Sequence, residues 1–272
     1  MSRTEVTRAL SRAGFEPAPL GQALLSGSAY RLLASWCVHL SELLEPFAPL
    51  TYEAPLLLDR ALLDTAGYSR NFPQQVIACG GVQDCAGDGL CLTPAACLHV
   101  YPRLAGRDLR ADGAGVIVRS RCARHEGGAW SYPFRLSAFH MLELVVACDE
   151  THVTSLRDEL EALVSGALRI LGLHGELVPA TDAFFLGTSE GARVIQKLKG
   201  LKREYSVLLA GEAVPVASIN YHEDYFGQRF GLVAAGGTAH TCCVAFGLER
   251  LVACGLLLWG ADPAGWPEAL RR

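Results

Sequence analysis

Residues 239–251, AHTCCVAFGLERL, constrain the fold of this chain more than any other stretch. Two cysteines and an unbroken apolar run end there in the pair Glu249-Arg250, and the pattern predicts a helix over 239–258. An arginine buried unpaired at the end of such a run is costly. A helix that carries Arg250 toward the core therefore calls for an anion or a planar ring beside the guanidinium. The same residues also suit a buried helix whose charged pair reaches solvent.

The rest of the sequence can supply a core for that segment. Half of the 272 residues are hydrophobic and 28 are glycine, enough for one large domain with many turns. The net charge of −4 and a pI near 6.1 argue against a general nucleic-acid binder. No apolar run of roughly 18 residues is free of charges, so no membrane span is expected. The start, MSRTEVTRALSRAGFEPAPL, has acids and early prolines where a secretory signal has an apolar centre. Ten cysteines without the spacing of a small disulfide framework read as reduced thiols in a cytoplasm.

Taken in order, residues 1–45 read as an N-terminal helical segment, with a breaker at Pro17 and a second helix over 22–44. Residues 46–272 read as the main domain. Val- and Ile-rich runs predict strands at 75–79, 115–120, 142–147, 205–209 and 214–219, and a helix at 152–171. Few strands alternate with helices, so the fold class is α+β, an antiparallel sheet flanked by helices.

Three clusters could carry chemistry. In RSRCARHEGGAWSYPFRLSAFHMLE, residues 119–143, a strand ends at Arg121, Arg124 and Glu126, a Gly-Gly turn follows, and a second strand starts near Phe134. Arginines at the base of such a hairpin can cradle a phosphate bidentately, and they also suit a solvated rim. Cys97, Glu143 and Cys243 lie on separate elements, without CxxC spacing. Two thiolates and a carboxylate would leave a fourth zinc position open, although each cysteine also suits a small buried hydrophobe. Glu143, between Leu142 and Leu144, needs a partner wherever it is buried. The third cluster, SINYHEDYFGQRFG at 218–231, groups Asn220, His222, Glu223 and Asp224 in what suits a polar turn. Separately, Lys197, Lys199, Lys202 and Arg203 form the densest basic run, a solvated face or a docking face for an acidic partner.

In this order the motifs resemble a class II aminoacyl-tRNA synthetase core over residues 50–262. The resemblance is to the amino acid:[carrier protein] ligases, truncated homologues of the zinc-dependent seryl-tRNA synthetases. RCARHEGG is similar to motif 2 of that class, which makes Arg124 the arginine on the ATP α-phosphate and Glu126 the glutamate that follows it. RLSAFHMLELV is similar to the return strand, with Phe139 where adenine stacks. CVAFGLERL is similar to motif 3, with Arg250 covering ATP. Cys97, Glu143 and Cys243 fall where the family holds its zinc, Cys243 being preferred to the adjacent Cys242 for its offset from Arg250. Asp182 in TDAFF resembles an aspartate of the amino-acid pocket. Leu142 stands where the family often has an arginine, and no carboxylate in PVASINYHED matches the usual magnesium ligand.

The resemblance implies ATP and Mg²⁺ as reactants, Zn²⁺ as cofactor, and activation of a small amino acid as its adenylate. The acceptor it implies is the phosphopantetheine thiol of a carrier protein. A helical segment of 45 residues is too short for a tRNA-binding module, so no tRNA is expected; a homodimer paired through the apolar stretch around AGYSRNFPQQ is. Two alternatives follow from the same residues: an inactive synthetase-like binding module, and an adenylate former with another acceptor.

Overall fold

The computed structural model describes residues 1–80, 89–109, 114–180 and 199–271. Helix α1 (Arg3–Arg12) starts at a reciprocal cap, in which Ser2 Oγ accepts from Glu5 N and Glu5 accepts from Ser2 N. A hairpin of β1 (Phe15–Ala18) and β2 (Gln22–Leu25) leads into α2 (Gly27–Leu44). Residues 22–25 therefore pair as a strand, where the sequence predicts the start of a helix. Next come β3 (Leu50–Glu53), β4 (Leu57–Asp59), α3 (Arg60–Thr65), α4 (Tyr68–Asn71) and β5 (Leu90–Leu92). The strand predicted at 75–79 is a 3-10 turn and a single bridge from Ala78 to Cys91.

The central elements are α5 (Tyr101–Leu104), β6 (Asp108–Leu109), β7 (Ala114–Ala123), β8 (Ala138–Cys148), α6 (Glu150–Ile170) and β9 (Gly175–Pro179). The chain continues through β10 (Lys202–Leu209), β11 (Glu212–Tyr221), α7 (Tyr225–Phe230), β12 (Val233–Ala234) and β13 (Gly237–Thr238). It closes with β14 (His240–Gly247) and α8 (Leu248–Trp259). The main sheet has the order β3-β7-β8-β14-β11-β10-β9, and all its pairs are antiparallel except β3 with β7 at one edge.

The segment at 239–258 departs from its predicted helix. Its first part is strand β14, in the middle of the sheet between β8 and β11, and only from Leu248 is it helical. A strand buried on both faces has no polar alternation, so its apolar run cannot be told from a buried helix by period. Likewise β8 begins at Ala138, four residues after the predicted start.

The two faces of the sheet bury different things. On one, Leu144, Val146, Val244, Phe246, Ile219 and Val207 pack with Trp36 and Leu40 of α2, Leu160 of α6 and Leu251 of α8. Phe15 of the N-terminal hairpin belongs to the same core. Gly255 lets α8 approach α2, since a Cβ there would lie 2.6 Å from the Trp259 ring and 3.0 Å from Leu32. On the opposite face, Val118, Cys122, Val145 and Ala147 pack under Leu98, Tyr101 and Phe226. That second face also opens into a cavity.

Candidate active site

A cavity of about 440 Å³ lies on this second face. Strand register builds its floor in rows. Glu143 of β8 pairs with Ala245 of β14, which pairs with Ser218 of β11, which pairs with Glu204 of β10. In the neighbouring row Cys243, Asn220 and Lys202 stand side by side. All of these residues line the cavity, and so do Cys97, Arg124, Glu126, Phe139 and Arg250. The residues expected on ATP and those expected on zinc thus share one space.

At one end of it, Arg124 lies with its guanidinium 5.2 Å from the Phe139 ring centroid and donates through Nε to the Pro94 carbonyl at 2.8 Å. Register explains the contact: β7 and β8 pair Cys122 with Phe139, so the turn after β7 returns Arg124 over the ring. Glu126 is held by Arg135, whose Nε and Nη2 reach its Oε2 at 2.7 and 2.6 Å. Arg250, at the first turn of α8, donates to the carbonyls of Phe134 and Pro215 at 2.7 and 2.8 Å. Where the sequence called for an anion or a planar ring, its Nε and Nη1 meet backbone carbonyls of residues that line the cavity. The sequence left Glu249 without a task. Its buried carboxylate accepts from His140 N at 2.8 Å and lies 2.7 Å from His140 Nδ1, tying the helix of Arg250 to the strand of Phe139.

Farther in, the interaction of the Cys97 and Cys243 side chains raises the Cys97 pKa and lowers that of Cys243. Asn220 Nδ2 donates to Cys243 Sγ at 3.2 Å, and His222 Nε2 lies 3.8 Å from that sulfur. Glu143 Oε1 accepts from Ala96 N and Cys97 N at 2.8 and 3.2 Å. Burial, followed by the charge of Cys243, pushes the Glu143 carboxyl up to about 8. Among the described residues no three His, Cys, Asp or Glu side chains are gathered so as to hold a metal ion as they stand. By donor type, however, two sulfurs and one carboxylate in a buried pocket suit zinc. The structure also separates the two adjacent cysteines: Cys243 faces the cavity and Cys242 is buried in the core under the helices.

Three expectations fall differently. Asp182 lies outside the described residues, as does Lys197. The remaining basic run is not one surface. Lys202 turns into the cavity and pairs with Glu204 at 3.3 Å, Arg203 points to the opposite face toward Glu161, and Lys199 pairs with Glu223. Alternation along β10 separates Lys202 from Arg203, and a local count of charges does not register it. Leu142 is likewise in the core under the helices, away from the cavity.

Of AGYSRNFPQQ, Tyr68, Phe72 and Gln75 line the cavity, and the Tyr68 hydroxyl donates to Gln75 Oε1 at 2.7 Å. Burial pushes the Tyr68 pKa up to about 12. Tyr68 and Gln75 were visible only in the stretch expected at a dimer face, and Ser218 only at the start of a polar turn. Asn220 and His222 were visible only as members of a polar turn.

No protein-family model matches the sequence. Amino acid--[acyl-carrier-protein] ligase 2 of Bradyrhizobium diazoefficiens is 36% identical over 242 residues, covering 80% of this chain and 72% of its own length. The M. kandleri SerRS, solved with A. aeolicus tRNASec, superposes with a TM-score of 0.80 at 20% identity, over 98% of this chain. Seryl-tRNA synthetase from Pyrococcus horikoshii, solved with ATP, superposes with a TM-score of 0.72 at 16% identity, over 97% of it. The chain spans 59% and 58% of those two synthetase chains. At such identities these two likenesses concern the fold, which is that of a class II synthetase.

Proposed function

The chain belongs to the amino acid--[acyl-carrier-protein] ligases, and from that premise we propose that it activates a small amino acid with ATP and passes it to the phosphopantetheine thiol of a carrier protein, without tRNA. The observation that carries this reading is the single cavity shared by Arg124, Phe139 and Arg250 with Cys97, Glu143 and Cys243.

In the first step a carboxylate oxygen of the amino acid attacks the α-phosphorus of Mg–ATP in line. A bond to phosphorus forms, the bond to the β-phosphate oxygen breaks, and pyrophosphate leaves with the electron pair. Arg124 and Arg250 are the cations we assign to the charge that builds on the phosphoryl oxygens. Adenine stacked on Phe139 would occupy the face now covered by Arg124 and free that guanidinium for phosphate. Glu126, fixed by Arg135, would receive the adenine amino group or shape its edge. In the second step the carrier thiolate attacks the acyl carbon, a thioester forms and AMP leaves. The donors Cys97, Glu143 and Cys243 would hold zinc, which when bound supplies a Lewis-acidic position for the α-amino group. Asp182 is our assignment for the rest of the amino-acid pocket. Magnesium enters with ATP, and no residue is assigned to it.

Two further expectations belong to the same proposal. A homodimer is supported by Leu50, Leu56, Leu57 and Leu90, 37–46% exposed on edge strand β3, on β4 and β5 and just before β4. A cytoplasmic location is supported by nine free thiols among the described residues. Among those residues no helix is long and apolar enough to cross a membrane.

The test of the acceptor is direct. Incubated with ATP, radiolabelled glycine or alanine and a phosphopantetheinylated carrier protein, the enzyme should place label on the carrier in a bond that hydroxylamine cleaves. Label that stays at the adenylate, or appears on carrier lacking the phosphopantetheine, would overturn it.

A further inference from the structure

The proposed chemistry leaves Lys202 and Glu204 without a role, although both line the cavity. Their side chains are only 12% and 21% exposed, and Lys202 Nζ lies 3.3 Å from Glu204 Oε1. They stand two apart on β10, so they share the cavity face while Arg203 between them faces α6. A largely buried ion pair is weak evidence for stability, because desolvation offsets much of its attraction. On the wall of a ligand cavity it has a clearer use.

Register says which wall. Cys243 pairs with Asn220 and Asn220 with Lys202, so Lys202 stands two strands from the sulfur. At the usual strand spacing that is about 10 Å between backbones. Glu204 stands the same two steps from Ala245, across Ser218. The intervening floor is low: Ala245 and Ser218 are small, and the Asn220 amide is drawn down onto Ser218 Oγ and Cys243 Sγ. Among the described residues, Asn220 Oδ1 is buried without a hydrogen-bond partner, an acceptor ready for a substrate N–H or O–H.

We propose that the Lys202–Glu204 pair is the end wall of the amino-acid pocket and selects small side chains. This rests on the reading above, in which the α-amino group is held beside Cys243. From that anchor the side chain extends over Ser218 and Asn220 toward the pair. A short one stops before it. A branched apolar one would lie against the two charges and strip their remaining water with no bond in return.

The experiment is amino-acid-dependent exchange of pyrophosphate into ATP with glycine, alanine, serine, valine and leucine, in the parent enzyme and in Lys202→Ala/Glu204→Ala. The wall predicts that kcat/KM for valine or leucine relative to glycine rises by about tenfold or more in the double variant, the scale of pocket discrimination by a few methylenes. Glu204→Gln, which keeps the volume and removes one charge, should move the ratio in the same direction by less and serves if the double variant does not fold. An unchanged order of preference in folded variants would overturn the inference. So would loss of exchange with every amino acid while ATP binding by calorimetry persists, since the pair would then serve the chemistry rather than selection. A parent enzyme that exchanges with none of the five removes the underlying reading itself, and that result is distinct from either.

Discussion

Arg250 and the two adjacent cysteines show what a single side chain decides here. The planar fork of Arg250 is set by two carbonyls, Phe134 and Pro215, that a lysine could not engage together. Both Arg250→Ala and Arg124→Ala should therefore lower adenylate formation by about 10²–10³, the usual loss for one donor to a developing charge in a dry site. Arg250→Lys should recover little of it. Pyrophosphate exchange at saturating ATP, beside a thermal melt showing a retained fold, checks both. At the thiols, metal analysis of protein purified without chelator should find zinc in the parent and in Cys242→Ser, and a deficit in Cys97→Ser and Cys243→Ser. Equal zinc in all four would remove these sulfurs from the site. From donor type alone the sequence offered Cys97, Glu143 and Cys243 as one reading beside buried hydrophobes, and family resemblance gave them the zinc role. It could not choose between Cys242 and Cys243 from residues alone, because neighbours on a strand face opposite ways and the phase of β14 depends on its partners.

At the scale of elements, β14 and α8 act as one unit. The strand brings Cys243 and Ala245 to the cavity, the helix brings Arg250, and Glu249 locks both to β8 through His140. An apolar run that is strand and then helix has no period of its own, which is why 239–258 reads as helix throughout. Strands with one solvated or cavity-facing side, such as β10 and β11, were legible. Phe246, fully buried under the helices, anchors this unit from behind. Phe246→Ala should cost about 3–5 kcal/mol in urea unfolding, and a value under 1 kcal/mol, a size expected only of surface sites, would contradict that packing. Helix α6 offers a pH test. The bond from His152 N, with those from the His152 ring and Thr151 N, holds the Asp149 carboxyl below its ordinary 3.8. A carboxylate whose folded value is depressed stabilises fully above its unfolded value, and that share is lost as pH falls through the folded value. Asp149→Ala should thus lower stability at neutral pH and flatten its fall below pH ~4. Parallel curves for parent and variant across that range would refute the assignment.

For the molecule as a whole, the α+β class and the order of motifs were readable because each motif sits on a sheet that its own residues build. The convergence of those motifs was not, since it depends on register across four strands. Nor was the fate of the basic run, whose members β10 divides between the cavity and the opposite face. The exposed leucines at 50, 56, 57 and 90 predict that light scattering at micromolar concentration finds twice the 29.2 kDa chain mass, and a monomer there would reject the dimer. On this reading the cavity makes an aminoacyl-adenylate on its own. The most direct measurement is exchange of labelled pyrophosphate into ATP by the purified protein with a small amino acid and with no tRNA or carrier present. The purified protein should show exchange that depends on the amino acid and falls by about 10²–10³ in Arg124→Ala. Exchange that needs tRNA would contradict it, and no exchange with any amino acid in folded, zinc-loaded protein would leave a binding module with the shape of a synthetase.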